Sequence, residues 1–260
     1  MIHQMKKFIK DLTVSSLEHL NDKHVLIKLT DSSPLPPMLP GQFVEVRVDK
    51  SSFTFLRRPI SINYVDTERN ELWLLVAAIG EGTHAMACLN TGDKLNCMFP
   101  LGNGFSMPTA SDQRFLLVGG GVGVAPLLYF GKYIRKMKSE PIFLLGARTG
   151  KDLLEMDAFR ELGTVHVTTE DGSVGEKGFV TDHPVLQREH FDQISTCGPK
   201  PMMVAVAKFA RKAGIRCEAS LENMMACGVG ACLCCVEKTT VGNLCVCKEG
   251  PVFDVNRLLW

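Results

Sequence analysis

No block of single-sign charge runs through this chain: 29 basic and 28 acidic residues leave a formal charge of +1 over 260 positions. The electrostatic footprint of a nucleic-acid binder is missing, so nucleic acid is not an expected partner. Nor is there an apolar run suited to a bilayer. The uncharged stretch Phe115 to Gly131 is broken by glycines and a proline, in the pattern of a buried strand entering a phosphate-type loop, and no membrane partner is expected. The N-terminus, M-I-H-Q-M-K-K-F-I-K-D-L, mixes charge into its first dozen residues and lacks both an unbroken apolar segment and a small-residue cleavage site. That argues against a secretory signal and for a cytoplasmic protein. Internal repeats and low-complexity tracts are absent, and the 7 histidines do not group with Asp and Ser as a catalytic triad would.

What the chain has in excess is cysteine. Of 10 cysteines, six fall between Cys227 and Cys247, in a protein whose expected compartment keeps thiols reduced. Cys88, Cys97, Cys197 and Cys217 are scattered and read as small buried hydrophobes.

Three textures divide the sequence. From Phe8 to Met98, short alternating runs (24–29, 43–48, 61–64 and 72–77) separated by turn residues predict an antiparallel barrel, interrupted by one short helix over 83–89. After Pro108 the strands become continuous apolar runs, at 115–118, 142–145, 165–168 and 193–196, alternating with helices expected at 126–138, 152–162 and 199–212. That rhythm predicts a doubly wound parallel sheet with its ligand at the carboxyl ends of the strands. From Glu218 the helical rhythm stops. A segment this short buries too little apolar surface to hold itself together, and a metal centre would supply the missing cross-link. The expected domains are 1–108, 109–217 and 218–260, with 108–114 as the linker.

The glycine stretch G-G-G-V-G-V-A-P-L, 119–127, follows a strand and opens a helix, which suits close approach of backbone amides to a pyrophosphate. It does not fit G-x-G-x-x-G in either register, and the next strand ends on Arg148 rather than on an acidic residue. The dehydrogenase fingerprint is therefore excluded. In the barrel half, R-P-I-S at 58–61 and G-E-G-T at 80–83 each offer a weak phosphate signal, an arginine at a strand end and the mouth of a helix.

Cys227, Cys232 and Cys235 have the spacing C-x4-C-x2-C of a plant-type 2Fe-2S centre, with a fourth thiolate due downstream. Cys245 and Cys247 compete for that place, and Cys234 is read as a bystander. Gly228, Gly230 and Ala231 would let the backbone fold over inorganic sulfide. Four thiolates also satisfy zinc, but zinc knuckles divide their ligands between two separate pairs, whereas three lie here in one loop.

Taken in order, R-P-I-S, G-E-G-T, G-x-G-x-A-P at 121–126 and C-G-P-K-P-M at 197–202 resemble the ferredoxin-NADP reductase superfamily. The resemblance implies FAD and NAD sites. Arg58 would hold the FAD pyrophosphate with Gly82 and Thr83, and Ser61 would sit by the flavin N5. Leu75, Val76 and Ala77 would line the flavin or adenine. Gly121 and Gly123 would bind the NAD phosphates, and Cys197 and Gly198 would approach the nicotinamide. Pro59 and Ile60 stand where the family carries a tyrosine-containing version of the motif.

Further motifs narrow the likeness: E-N-M-M-A-C-G-V-G-A-C-L-C-C at 222–235, V-C-K-E-G-P-V-F at 246–253, L-G-A-R-T at 145–149 and T-E-D-G-S-V-G-E-K-G-F-V-T-D at 169–182. With these the chain resembles the electron-transfer subunits of dihydroorotate dehydrogenase B over nearly its whole length. The motif register implies Cys247 as the fourth ligand. The resemblance also implies an FMN-containing catalytic subunit as partner, in a heterotetramer with two of each, with orotate as product and NAD as electron acceptor. The alternatives are the small flavin subunit of an NADH-dependent ferredoxin-NADP or sulfide reductase and, in a different class, a zinc-stabilised interaction module.

Overall fold

The computed structural model describes residues 6–260, so positions 1–5 of the N-terminal stretch discussed above lie outside the described residues. The chain forms two compact units. One takes the chain through Gly104 together with Asn223–Glu237 and Leu244–Pro251, and the other takes Phe105–Glu222, Lys238–Asn243 and Val252–Trp260. The segment expected as one small domain, 218–260, is thus shared between the two units.

The first unit is built on β1 (Phe8–Asn21), β2 (His24–Thr30), β3 (Phe43–Arg47), β4 (Arg58–Asp66), β5 (Glu71–Ala77) and β6 (Lys94–Leu101), with α1 (Glu81–Ala87) between the last two strands. Among the described residues these strands close into an antiparallel barrel in the order β1-β2-β5-β4-β3-β6. Its interior is filled by alternate side chains, with Leu12, Val14, Ile27, Leu29, Val44, Val46, Ile62, Leu72, Leu74 and Phe99 all fully buried. α1 begins two residues earlier than the pattern predicts, because the Thr83 hydroxyl accepts from the amides of Ile79 and Gly80 and so caps the turn upstream of itself. Cys88 terminates that helix and is exposed, unlike Cys97, Cys197 and Cys217, which are buried as expected of small apolar side chains.

The second unit contains β7 (Arg114–Gly120), α2 (Ala125–Lys136), β8 (Glu140–Ala147), α3 (Met156–Leu162), β9 (Thr164–Thr169), β10 (Glu176–Lys177), α4 (Val185–Arg188), β11 (Gln193–Cys197), α5 (Lys200–Ala213) and β12 (Arg216–Ser220). Along the chain follow the hairpin β13 (Val236–Thr239) and β14 (Gly242–Cys245), whose residues are divided between the units, the one-turn α6 (Val246–Glu249) of the first unit and β15 (Val252–Asp254) of the second. The sheet order is β10-β9-β8-β7-β11-β12-β15, parallel except for the antiparallel β12–β15 pair. Phe115–Val118 and Ile142–Leu145 are buried without interruption, which explains why these strands read as solid apolar runs. α3 starts at Met156 rather than 152: a short 3-10 turn occupies Gly150–Asp152, and Glu155 takes a left-handed backbone conformation (φ 52°) immediately before the helix. Among the described residues no helix is long and apolar enough to cross a membrane.

Candidate cofactor sites

A gap in the barrel ladder shapes the first site. β4 pairs with β5 from Ile62 to Asp66, but from Arg58 to Ser61 it pairs with β3. β5 continues past Leu74 with β2 alone. The β4–β5 ladder therefore stops there, and the gap between Arg58–Ser61 and the backbone of Leu75–Ala77 is the candidate flavin slot. Arg58–Ser61 come from the first of the two weak motifs and Leu75–Ala77 from the family resemblance, while Gly82 and Thr83 of the second motif lie in the first turn of α1.

At the slot's Arg58 end, the guanidinium donates to the Leu56 carbonyl (2.8 Å) and has no carboxylate partner among the described residues. A Cβ on Gly82 would lie 3.2 Å from Arg58 Nε and 3.0 Å from Thr54 Cγ2, so the helix mouth, the arginine and Thr54 form one tight cradle. A guanidinium without a carboxylate partner beside the mouth of a helix is the chemistry a pyrophosphate needs, and the cradle fits FAD. Thr83 is committed to capping, since its hydroxyl also donates to the Gly80 carbonyl (3.0 Å). Its part is to shape the turn.

The second site lies where the strand order reverses. β7 has β8 on one side and β11 on the other, and the carboxyl ends of β7 and β11 are in register, Gly119 opposite Cys197. Ligands in open α/β sheets bind at such switch points. The two glycine motifs meet there backbone to backbone: a Cβ on Gly123 would be 2.4 Å from Gly198 Cα, and one on Gly120 would be 2.7 Å from Met202 Sδ. Gly121–Val124 form a short 3-10 turn that runs directly into α2, which carries Pro126 in its first turn and no side-chain cap. The Cys197 thiol is fully buried and donates to Glu222 Oε1 at 3.8 Å. Burial, reinforced by the Glu222 charge, holds it well above the usual thiol range, so it stays protonated and is no nucleophile. Glu222 begins the cysteine motif, but nothing in its sequence neighbourhood marks it for a role; only the fold places it against Cys197.

The cysteine loop supplies the third site. Cys227 Sγ accepts from the amides of Val229, Ala231 and Cys232 at 3.5, 3.3 and 3.4 Å. Cys247 Sγ accepts from Gly230 N at 3.1 Å, and Cys247 N donates to Cys235 Sγ at 3.3 Å. Positive φ at Gly228 (65°) and Gly230 (83°) turns these amides inward. Burial alone would raise the Cys227 thiol, but the loop amides and the Cys232 thiol outweigh it and hold it at about 6. Burial and the neighbouring Cys235 push Cys247 up to about 12.

The thiols thus stand in two pairs, Cys227 with Cys232 and Cys235 with Cys247. Among the described residues no three His, Cys, Asp or Glu side chains close on one point as a single ion would ask. Four thiols under a canopy of amides, Cys227, Cys232, Cys235 and Cys247, would hold a two-iron cluster better than one tetrahedral ion. Cys234 is exposed and its thiol donates outward to the Met224 carbonyl (3.6 Å), while the backbone amide of buried Cys245 is tied to Glu249 Oε2 (2.8 Å).

A flavin slot in a barrel, a dinucleotide switch point in a parallel sheet and a thiolate loop together define a flavin and iron-sulfur oxidoreductase of the ferredoxin reductase type. Comparison with known proteins sharpens the class. Residues 222–259 match the iron-sulfur cluster binding domain of dihydroorotate dehydrogenase B, and 117–208 match the oxidoreductase NAD-binding domain. The chain belongs to the family of electron transfer subunits of dihydroorotate dehydrogenase B (NAD(+)). The member from Fusobacterium nucleatum is 38% identical over 252 residues, covering 94% of this chain and 96% of its own. The one from Shouchella clausii is 40% identical over 225 residues, covering 85% and 86%. Among solved structures, the NADH-dependent reduced ferredoxin-NADP oxidoreductase, described in connection with flavin-based electron bifurcation, superposes with a TM-score of 0.87 at 27% identity, covering 96% of this chain and 90% of that one.

Proposed function

We propose that this chain carries electrons from an FMN-containing dihydroorotate dehydrogenase subunit to NAD+, in the cytoplasm, as part of a heterotetramer with two of each subunit, so that orotate is formed for pyrimidine synthesis. The observation that carries the reading is the amide-covered double pair of thiols, Cys227 with Cys232 and Cys235 with Cys247, in one chain with a flavin slot and a dinucleotide switch point. When bound, FAD exchanges hydride with a nicotinamide and single electrons with a 2Fe-2S cluster, which converts two-electron into one-electron traffic.

The side chains hold and orient. Arg58 and Gly82 with the mouth of α1 receive a pyrophosphate, and Pro59, Ile60 and Ser61 face Leu75, Val76 and Ala77 across the slot. Gly121 and Gly123 admit the NAD phosphates, and Cys197 and Gly198 border the nicotinamide with the thiol kept protonated. Cys227, Cys232, Cys235 and Cys247 hold the cluster. No residue of the chain is asked to act as general acid or base on dihydroorotate. The reading is tested by purifying the chain with and without its co-expressed FMN partner: NAD-linked dihydroorotate oxidation is expected only from the pair, and full activity from this chain alone overturns the division of labour. Identity of about 40% to subunits of this system, against 27% to the ferredoxin-NADP oxidoreductase, supports this partner over the rival one.

A further inference from the structure

On β3, Val44 and Val46 fill the barrel core while Glu45, between them, points to the opposite face, yet Glu45 is 0% exposed. The cysteine loop covers it. A Cβ placed on Gly228, the residue after Cys227, would lie 2.7 Å from Glu45 Cγ and 3.1 Å from its Oε1. Neither carboxyl oxygen has a hydrogen-bond partner among the described residues. Arg57 stands nearby, but its guanidinium donates to the Glu45 carbonyl oxygen (3.2 Å), the Asn96 carbonyl oxygen (3.2 Å) and Asn96 Oδ1 (2.6 Å). A leucine or methionine would fill the same space without desolvating an ionisable group, so a structural role alone does not account for a carboxyl here.

We propose that Glu45 sets the reduction potential of the cluster held by Cys227, Cys232, Cys235 and Cys247, as a charge sealed directly behind the Cys227–Gly228 turn. The inference rests on the cluster reading given above. An electron reaching the thiolate loop adds negative charge beside a group that water cannot screen, so an ionised Glu45 disfavours the reduced state and a neutral one does not. Burial pushes the Glu45 carboxyl up to about 7, with Arg57 opposing, the Cys227 charge adding to the rise and Arg58 opposing. These are the charged groups that act on it.

The test follows the cluster by its EPR signal during dithionite titration of the full chain, carrying FAD and cluster and bound to its FMN partner, in wild type, E45Q and E45A. At about pH 8, and at a poise where the wild-type cluster is half reduced, both variants are expected to raise the ratio of reduced to oxidised cluster roughly tenfold. A cluster that is present in E45Q with an unshifted potential overturns the inference. If neither variant folds, Glu45→Met, which fills the same space, decides by the same criterion, because an unshifted potential overturns the inference equally. A wild-type protein without any cluster signal sinks the cluster reading and the inference together, whereas a signal that is present but unmoved sinks the inference alone.

Discussion

Cys245 and Cys247 are two residues apart, and Cys247 is the one whose sulfur receives a loop amide, from Gly230. Cys247→Ser is therefore expected to abolish the visible absorbance and EPR signal of the cluster, while Cys245→Ser and Cys234→Ser keep both; iron content of the purified variants checks the ranking. The same loop gives a pH prediction for the cluster-free chain. The Cys227 thiol, depressed to about 6, contributes stability that is fully present above the ordinary thiol value and is lost as the pH falls through 6. At about pH 7, iodoacetamide should accordingly modify Cys227 well ahead of Cys247, whose thiol stands at about 12, as peptide mass spectrometry would read. Arg58 has no carboxylate to release, so Arg58→Ala removes a charge-assisted bond worth about 1.5–3 kcal/mol and should weaken FAD retention roughly ten- to a hundredfold, measured by flavin fluorescence on dilution. These residue types were legible in the sequence because ligand spacing within a loop is local. The choice of Cys247 came only from motif register, and the Gly230 amide gives it a physical basis.

At the level of elements, the glycine loop after β7 and the turn after β11 work as one piece. Gly123→Ala drives a methyl group into the Gly198 backbone, and neither side has a flexible side chain to yield. A loss of about 1–3 kcal/mol in stability is expected, with a raised KM for NADH, read by thermal melting and steady-state kinetics. The strands at 24–29, 43–48, 115–118 and 142–145 were readable because each carries its own period or solid apolar run. β1 was not, since over Phe8–Asn21 only Leu12 and Val14 are buried and the rest of the strand mixes half-buried and exposed positions without a regular period. β15 was hidden for a different reason: three residues carry no periodicity, and Val252–Asp254 become a strand only by pairing with β12. Phe253 is 2% exposed in that pair, so Phe253→Ala should destabilise the second unit by roughly 3–5 kcal/mol, visible in calorimetry as a lowered transition.

For the whole molecule, the distribution of the C-terminal residues is the feature that composition could not announce. The stretch from Glu218 reads as one cysteine-rich appendage, yet the loop 223–237 and the turn 244–251 belong to the compact unit of the barrel, while β12 and β15 belong to the parallel sheet. Where a segment packs depends on surfaces offered by residues tens to hundreds of positions away, and spacing along the chain is silent about them. Three things followed from the sequence by itself: the alternation that makes a barrel, the apolar runs that make a parallel sheet, and the cysteine spacing that asks for iron and sulfide. Each rests on neighbours within a few residues, and local periodicity is written in order. Tertiary structure alone decided the slot between Arg58–Ser61 and Leu75–Ala77, the meeting of Gly123 with Gly198, the contact of Cys197 with Glu222 and the sealing of Glu45 behind Gly228. Those arise where two distant segments exclude water from the space between them, and that exclusion is what turns a side chain into a site.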